Sequence, residues 1–264
     1  MFLANLLHGG DTPVDINALP APFASTQALL DEWLGVDTGD LTRDEIDALR
    51  PEVYEALGAS ARDTVFLKVH DAYGLTARGR PLFPRPPTRG AIYLIRNPLD
   101  VAVSYAHHLA TPIDAVIERM RDVGDTVHAS DDRGHLHARQ RISTWSEHVR
   151  SWTSAPPFPV HVMRYEDMLR EPLAAFTAAA RFAGLPADPE RVRRALEFSA
   201  LGELRRQESE RGFREKHPDT ARFFREGRVG AWKETLTLEQ VAAIIRDHGD
   251  VMRRFGYETE GIAS

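Results

Sequence analysis

Cysteine is absent from all 264 residues. That excludes disulfides, a thiolate nucleophile and any cysteine-ligated metal site. It leaves the compartment open, because a cytosolic protein needs no cysteine. Long apolar runs are missing too: none approaches the ~20 residues a membrane-spanning helix requires. Met1 to Leu7 is apolar but carries no basic leader, so no signal peptide is expected. The default expectation is a cytoplasmic protein with no membrane span. Lysine is scarce. Lys68, Lys216 and Lys233 are the only three among 33 basic residues. The arginine bias fits a GC-rich bacterial genome, and it makes each lysine worth attention. Excess positive charge is lacking as well. A formal net charge of −6 argues against a general nucleic-acid or membrane-surface binder. No internal repeat and no low-complexity tract occurs.

What is present is enough apolar residue, 42% of the chain, for one α/β domain with a substantial core, or at most two small ones. The chain is organised around Ala91 to Ala110, AIYLIRNPLDVAVSYAHHLA. Ala91 to Ile95 reads as a buried strand and Arg96 ends it. Asn97 is a good N-cap and Pro98 a good first helical residue. Val101, Tyr105, His108 and Leu109 then recur at helical spacing. Ser104 lies eight residues after Arg96, two helical turns on, with its hydroxyl on the face of the turn. An arginine fork and a serine beside a helix N-terminus can hold a phosphate. An Arg96–Asp100 salt bridge in an ordinary strand-loop-helix unit is the competing reading, and spacing alone does not separate the two.

Elsewhere, helices are expected over Ser25–Trp33 and Thr42–Leu57, the second with a Thr42/Glu45 capping box. Further helices are expected over Ile113–Val123, Arg139–Trp152, Glu171–Leu185, Asp188–Phe198 and Leu236–Phe255, with Ser199–Gln207 continuing helically. Trp145 and Trp152 read as core. Arg78–Arg89 and Gly124–Gly134 read as loops, and Pro159–Arg164 as a strand. Glu208–Phe224 is polar and contains Gly212 and Pro218, so it is a candidate lid. Its mixed charge suits a solvated loop equally well. Thr64–His70, TVFLKVH, is expected to be a strand. Lys68 and His70 are two apart and leave the same face. They either point into a pocket or are a strand-end lysine and a partly solvated histidine.

Tyr93-Leu94-Ile95-Arg96-Asn97-Pro98, with Asp100-Val101 and Ser104-Tyr105, resembles the 3′-phosphate signature of sulfotransferases that use 3′-phosphoadenosine 5′-phosphosulfate (PAPS). The resemblance covers most of residues 60–235 and implies an α/β fold with a three-layer, P-loop NTPase-like parallel sheet flanked by helices. It implies a single domain over 1–264. In that family the residues matching Arg96 and Ser104 bind the 3′-phosphate. Lys68-x-His70 matches the catalytic strand, with His70 as general base and Lys68 supporting the leaving 5′-phosphate. Tyr165-Glu166-Asp167-Met168 resembles the tyrosine motif beside the adenine. Ser199, Leu201 and Leu204 fall at adenine-side positions, although an aromatic residue is common at the place of Leu201. Arg225-x-Gly227-x-x-Gly230-x-Trp232 matches the motif that closes over the 3′-phosphate, with Arg225, Glu226, Gly227 and Arg228 at its head. Glu226 replaces a usual basic residue there.

The family's first signature, a strand followed by Pro-Lys-Ser-Gly-x-x-Trp, has no counterpart, because no lysine precedes Lys68. Phe2 to Leu7 resembles the helix after that loop. The expectation is a chain cut short just after the loop, or one that has lost it. The implied activity is transfer of the sulfuryl group from PAPS to a hydroxyl or amine, leaving 3′,5′-diphosphoadenosine, with no metal. A truncated or inactive 3′-phosphonucleotide-binding protein is the alternative. A different phosphoryl-transfer enzyme is weaker, since no Walker loop or Mg²⁺-binding aspartate stands out. A small molecule, a carbohydrate or a lipid would suit as acceptor, in a pocket built from Ala72–Pro87, Gly124–His137 and Glu208–Phe224.

Overall fold

The computed structural model of the protein describes residues 1–127 and 137–259. In chain order the elements are α1 (Phe2–His8), α2 (Gln27–Leu34), α3 (Arg43–Ser60), β1 (Ala91–Ile95), α4 (Pro98–His108), α5 (Ile113–Arg121), β2 (Thr126–Val127), β3 (Gln140–Arg141), α6 (Trp145–Ser154), β4 (Val160–Arg164), α7 (Tyr165–Arg170), α8 (Pro172–Phe182), α9 (Pro189–Glu197), α10 (Leu201–Arg211), α11 (Trp232–Thr235) and α12 (Leu238–Arg254). The class is α/β, with parallel strands flanked by helices. Two compact units are present. The first holds Met1–Pro20, Ile92–Met120 and the chain from His161 on, and the second holds Ala21–Ala91 and Arg121–Val160.

In the first unit β1 pairs with β4, and α4 lies against α11 and α12. A second layer forms where Phe2 and Leu6 of α1 pack on Ala180, Val192 and Ala195 of α8 and α9, with Phe176 alongside. Caps explain where several helices begin. Thr42 and Glu45 form the expected box, with Glu45 Oε2 accepting from the Thr42 amide at 2.8 Å. Thr237 and Gln240 form a second one at the start of α12. Leu6 is fully buried, so Leu6→Ala should lower stability by ~2–5 kcal/mol. Urea denaturation checks this, and a loss below ~1 kcal/mol would mean that α1 is not part of the core.

The second unit is built on aromatic stacking. Tyr54 stacks on Phe83 at 4.7 Å, and Tyr73 meets Trp152 at 5.4 Å and Phe158 at 5.7 Å. β2 and β3 pair antiparallel.

Several expectations need correction. Ala91–Ile95 is a strand but is not buried throughout: Leu94 is 61% exposed and only Ile95 is buried. β1 has one strand neighbour among the described residues, so part of it faces solvent. Thr64–His70 is not a strand: among the described residues it makes one parallel bridge, Lys68 to Phe23. Its partner is Ala21–Ala24, where Pro20 and Pro22 have no amide to extend the ladder. The helix expected from Ser25 starts later: Thr26 is the N-cap of α2, and Ser25 is buried with its hydroxyl 3.3 Å from His137 Nδ1. Arg139–Trp152 is not one helix. Gln140–Arg141 is β3, Ser143 has φ +62°, and Thr144 caps α6 through the Glu147 amide at 3.0 Å. Thr126–Val127, expected in a loop, is β2; the rest of Gly124–Gly134, from 128 on, lies outside the described residues. Helix is interrupted at Ser199–Ala200 before α10 restarts. Residues 208–211 complete α10, and beyond them Phe213, Phe223 and Phe224 cluster with centroids 4.6–5.2 Å apart.

Candidate functional site

β1 delivers Arg96 to the turn ahead of α4, and the local sequence fixes that turn. Asn97 caps α4, its side-chain oxygen accepting from the Leu99 amide at 3.0 Å, and Pro98 follows as the first helical residue. Glu166, in the first turn of α7 just past β4, grips the turn. Its Oε1 accepts from the Asn97 amide at 2.9 Å and its Oε2 from the Tyr257 hydroxyl at 3.0 Å. Burial, with the Glu166 charge adding to it, pushes the Tyr257 pKa up.

The competing Arg96–Asp100 salt bridge does not form. The Arg96 guanidinium lies 4.4 Å from the Tyr165 ring centroid, and its Nη2 donates to the Arg228 carbonyl at 3.3 Å. Its Nε is buried with no acceptor among the described residues. Asp100 is only 1% exposed and accepts instead from the Gly230 amide at 2.8 Å and the Trp232 amide at 3.1 Å. That pairing brings the Arg225–Trp232 motif to the N-terminal turn of α4. Gly227 and Gly230 there have φ of +60° and +82°, which a side chain would strain. A Cβ on Gly227 would also come within 2.9 Å of Leu201 Cδ2.

The first unit thus brings together Arg96, Tyr165, Leu201, Gly227 and the main chain of Arg228. Ser104 is exposed on α4. The Ser199 hydroxyl donates to the Ala195 carbonyl at 2.7 Å and accepts from Asn5 Nδ2 at 3.0 Å. Arg225 is exposed, 4.0 Å from Glu226, and lines a cavity of about 530 Å³ with His107, Thr111, Ile113 and Thr220. Arg228 is held by Glu226 at 2.5 Å and by Glu234 at 2.7 Å. Glu226 therefore does more than omit a positive charge: it occupies a neighbouring one.

Lys68 and His70 belong to the second unit, and both reach the ring of Phe23. Lys68 Nζ sits 4.1 Å from its centroid and the His70 ring 5.5 Å away. Their shared direction matches the spacing of two, although His70 is exposed. The main chain beneath them is firmly held. His148 Nε2 donates to the His70 carbonyl at 3.0 Å, and Trp152 Nε1 donates to the Asp71 carbonyl at 2.8 Å. Burial pushes the His148 pKa down, against the upward pull of that carbonyl. Asp71 forms a two-pronged pair with Arg50, at 3.0 and 2.6 Å. Sequence reasoning missed Asp100, Glu166, Arg50 and His148. Glu166, Asp100 and His148 carried a hint, since each lies inside a stretch that resembles the family; Arg50 carried none. No group of three or more His, Asp or Glu side chains that could hold a metal occurs among the described residues.

The family model described as "Sulfotransferase domain" matches residues 88–256. A 3-alpha-hydroxysteroid sulfotransferase of Cavia porcellus is 27% identical over 165 residues, 61% of this chain and 55% of that protein. Cytosolic sulfotransferase 1 of Arabidopsis thaliana is 34% identical over 103 residues, 36% of this chain and 31% of the relative. The chain spans about half the length of the first curated relatives it matches, 55–56%. Among solved structures, mouse sulfotransferase SULT7A1 complexed with PAP aligns over 95% of this chain and 89% of its own, with TM-score 0.54 and 17% identity. A retinol dehydratase in complex with androsterone and the inactive cofactor PAP aligns over 75% of this chain and 56% of its own, with TM-score 0.54 and 22% identity. These likenesses show the fold, the P-loop-like α/β arrangement.

Proposed function

Because the chain belongs to the sulfotransferase domain family, we propose that it binds PAPS and transfers its sulfuryl group to a hydroxyl or amine, releasing 3′,5′-diphosphoadenosine. The observation that carries this reading is Arg96, a guanidinium without a carboxylate partner among the described residues, stacked on Tyr165 beside a glycine-containing strap. It is supported by PAP in two solved structures that align with the chain, a retinol dehydratase and mouse sulfotransferase SULT7A1. In this reading Arg96 and Ser104 hold the 3′-phosphate, with Arg225, Glu226 and Gly227 at its rim. Tyr165, Ser199 and Leu201 face the adenine. His70 takes the proton of the acceptor as its oxygen or nitrogen bonds to sulfur. The bond from sulfur to the 5′-phosphate oxygen breaks, and Lys68 offsets the charge left on that phosphate.

The acceptor is a small molecule, by analogy with the hydroxysteroid in the name of one relative; a carbohydrate or lipid fits the same chemistry. The whole of 1–264 acts as one sulfotransferase-like domain, with 208–224 as its lid. A bacterial, cytoplasmic protein is part of the same proposal, on the arginine bias and on the cytosolic relatives.

Titration calorimetry tests the nucleotide assignment. 3′,5′-Diphosphoadenosine should bind more tightly than AMP by ~10-fold or more, the worth of charge-assisted bonds to one phosphate. Equal affinities would defeat it. In labelled-sulfate assays His70→Ala should lower transfer by ~10²–10⁴-fold with nucleotide affinity unchanged. Persisting transfer removes His70 from the role of base, and binding without any transfer by the parent protein answers to the alternative, a nucleotide-binding protein alone.

A further inference from the structure

The strap between α10 and α11 has an unusual distribution of main-chain hydrogen bonds. On its N-terminal side the Glu208 carboxylate accepts from two consecutive amides, Phe223 at 2.6 Å and Phe224 at 3.0 Å. Arg205 Nε adds a bond to the Phe224 carbonyl at 3.0 Å. On its C-terminal side the Asp100 carboxylate does the same for Gly230 and Trp232, at 2.8 and 3.1 Å. Between these two staples the amides of 225–229 have no acceptor among the described residues. Five successive free donors, with a left-handed glycine among them, form a main-chain surface suited to an anion. Arg96 meets that same stretch through the Arg228 carbonyl.

Asp100 and Glu208 look counterproductive beside a proposed anion site, where Glu226 is already paired with Arg228 at 2.5 Å. Their direction resolves this, since both spend their oxygens on the amides that flank the free run. Asp100 is buried at 1% exposure, and burying a carboxylate costs free energy unless hydrogen bonds compensate. Its partners are backbone donors, so its placement serves the position of the strap.

We propose that Asp100 and Glu208 are positioning residues that pin the two ends of the strap and so present the 225–229 amides to a phosphate of the bound nucleotide. This rests on the assignment of the 3′-phosphate to Arg96. Neither carboxylate touches the nucleotide. In Glu208→Gln or Asp100→Asn the side-chain amide turns a donor toward a backbone N–H, and one staple bond is lost.

The test compares 3′,5′-diphosphoadenosine with AMP by calorimetry, on the full chain and on each variant. Each substitution should weaken 3′,5′-diphosphoadenosine by about tenfold, the scale of one charge-assisted hydrogen bond, with AMP affinity unchanged. Equal loss for both nucleotides would mean general damage and would overturn the proposal. A parent protein that does not discriminate the two nucleotides removes the 3′-phosphate assignment and the staples with it. If the parent discriminates and both variants keep that discrimination, the assignment stands and the staples fall. Should Asp100→Asn fail to fold, Glu208→Gln decides, together with hydrogen exchange in the parent. There 3′,5′-diphosphoadenosine should slow exchange of the 225–229 amides, and no protection would refute their role.

Discussion

Arg50→Met should destabilise the protein by ~3–5 kcal/mol, the usual result of removing one partner from a buried ion pair. Arg50 and Asp71 are each 2% exposed. Nearly every donor of the guanidinium is used: Nε donates to the Tyr54 hydroxyl at 3.0 Å, Nη1 to Asp71 and to the Arg139 carbonyl at 3.2 Å, and Nη2 to Asp71. Without Arg50, the Asp71 carboxylate would stay buried with the Arg141 amide, at 3.2 Å, as its one hydrogen-bond donor among the described residues. The pair itself contributes less than that loss suggests, because bringing both charges out of water is expensive. Arg50→Met with Asp71→Leu should therefore recover part of the loss, since what it leaves without partners is main chain, the Arg141 amide and the Arg139 carbonyl, at ~1–3 kcal/mol each. Urea denaturation of the two variants separates the cases. A double variant no better than the single one would mean that the pair stabilises on its own account, and a single variant within ~1 kcal/mol of the parent would mean that Asp71 is not charged and dry.

This pair also illustrates what the sequence does and does not disclose. Lys68 and His70 could be placed on one side of the chain from their spacing alone, and both do reach Phe23. That Arg50, in a helix eighteen residues upstream of Lys68, holds the residue after His70 could not be read, because it depends on a meeting of distant segments. The Asn97–Pro98 helix start was legible because caps act locally, within three residues. The fate of Asp100 was not. A spacing of four from Arg96 makes an Arg–Asp pair plausible, while the observed partners are 130 and 132 residues away. TVFLKVH pairs at one point among the described residues, and on the N-terminal side of that bridge Pro20 and Pro22 offer no amide to lengthen the ladder. Local propensity needs a partner with donors to become a sheet.

The second large effect concerns nucleotide affinity. Arg96→Ala should weaken 3′,5′-diphosphoadenosine by ~1.5–3 kcal/mol, roughly 10–150-fold, as expected for hydrogen bonds to a charged group. AMP, which lacks the 3′-phosphate, should bind as before. Stability should change little, because the guanidinium is held by no more than its stacking on Tyr165 and a 3.3 Å bond to the Arg228 carbonyl among the described residues. An exposed cation–π interaction of this kind contributes ~0.5–1 kcal/mol. Arg96→Lys should fall between the parent and the alanine variant: the charge survives, but the planar fork and its stacking do not. Added salt should weaken binding in the parent more than in Arg96→Ala, since a partly exposed charge pair is screened. Glu226 and Glu234 sharpen the test. They already occupy Arg228, at 2.5 and 2.7 Å, so that second arginine cannot substitute for the first without giving up two carboxylates. An unchanged dissociation constant in Arg96→Ala would take the phosphate away from the end of β1 altogether.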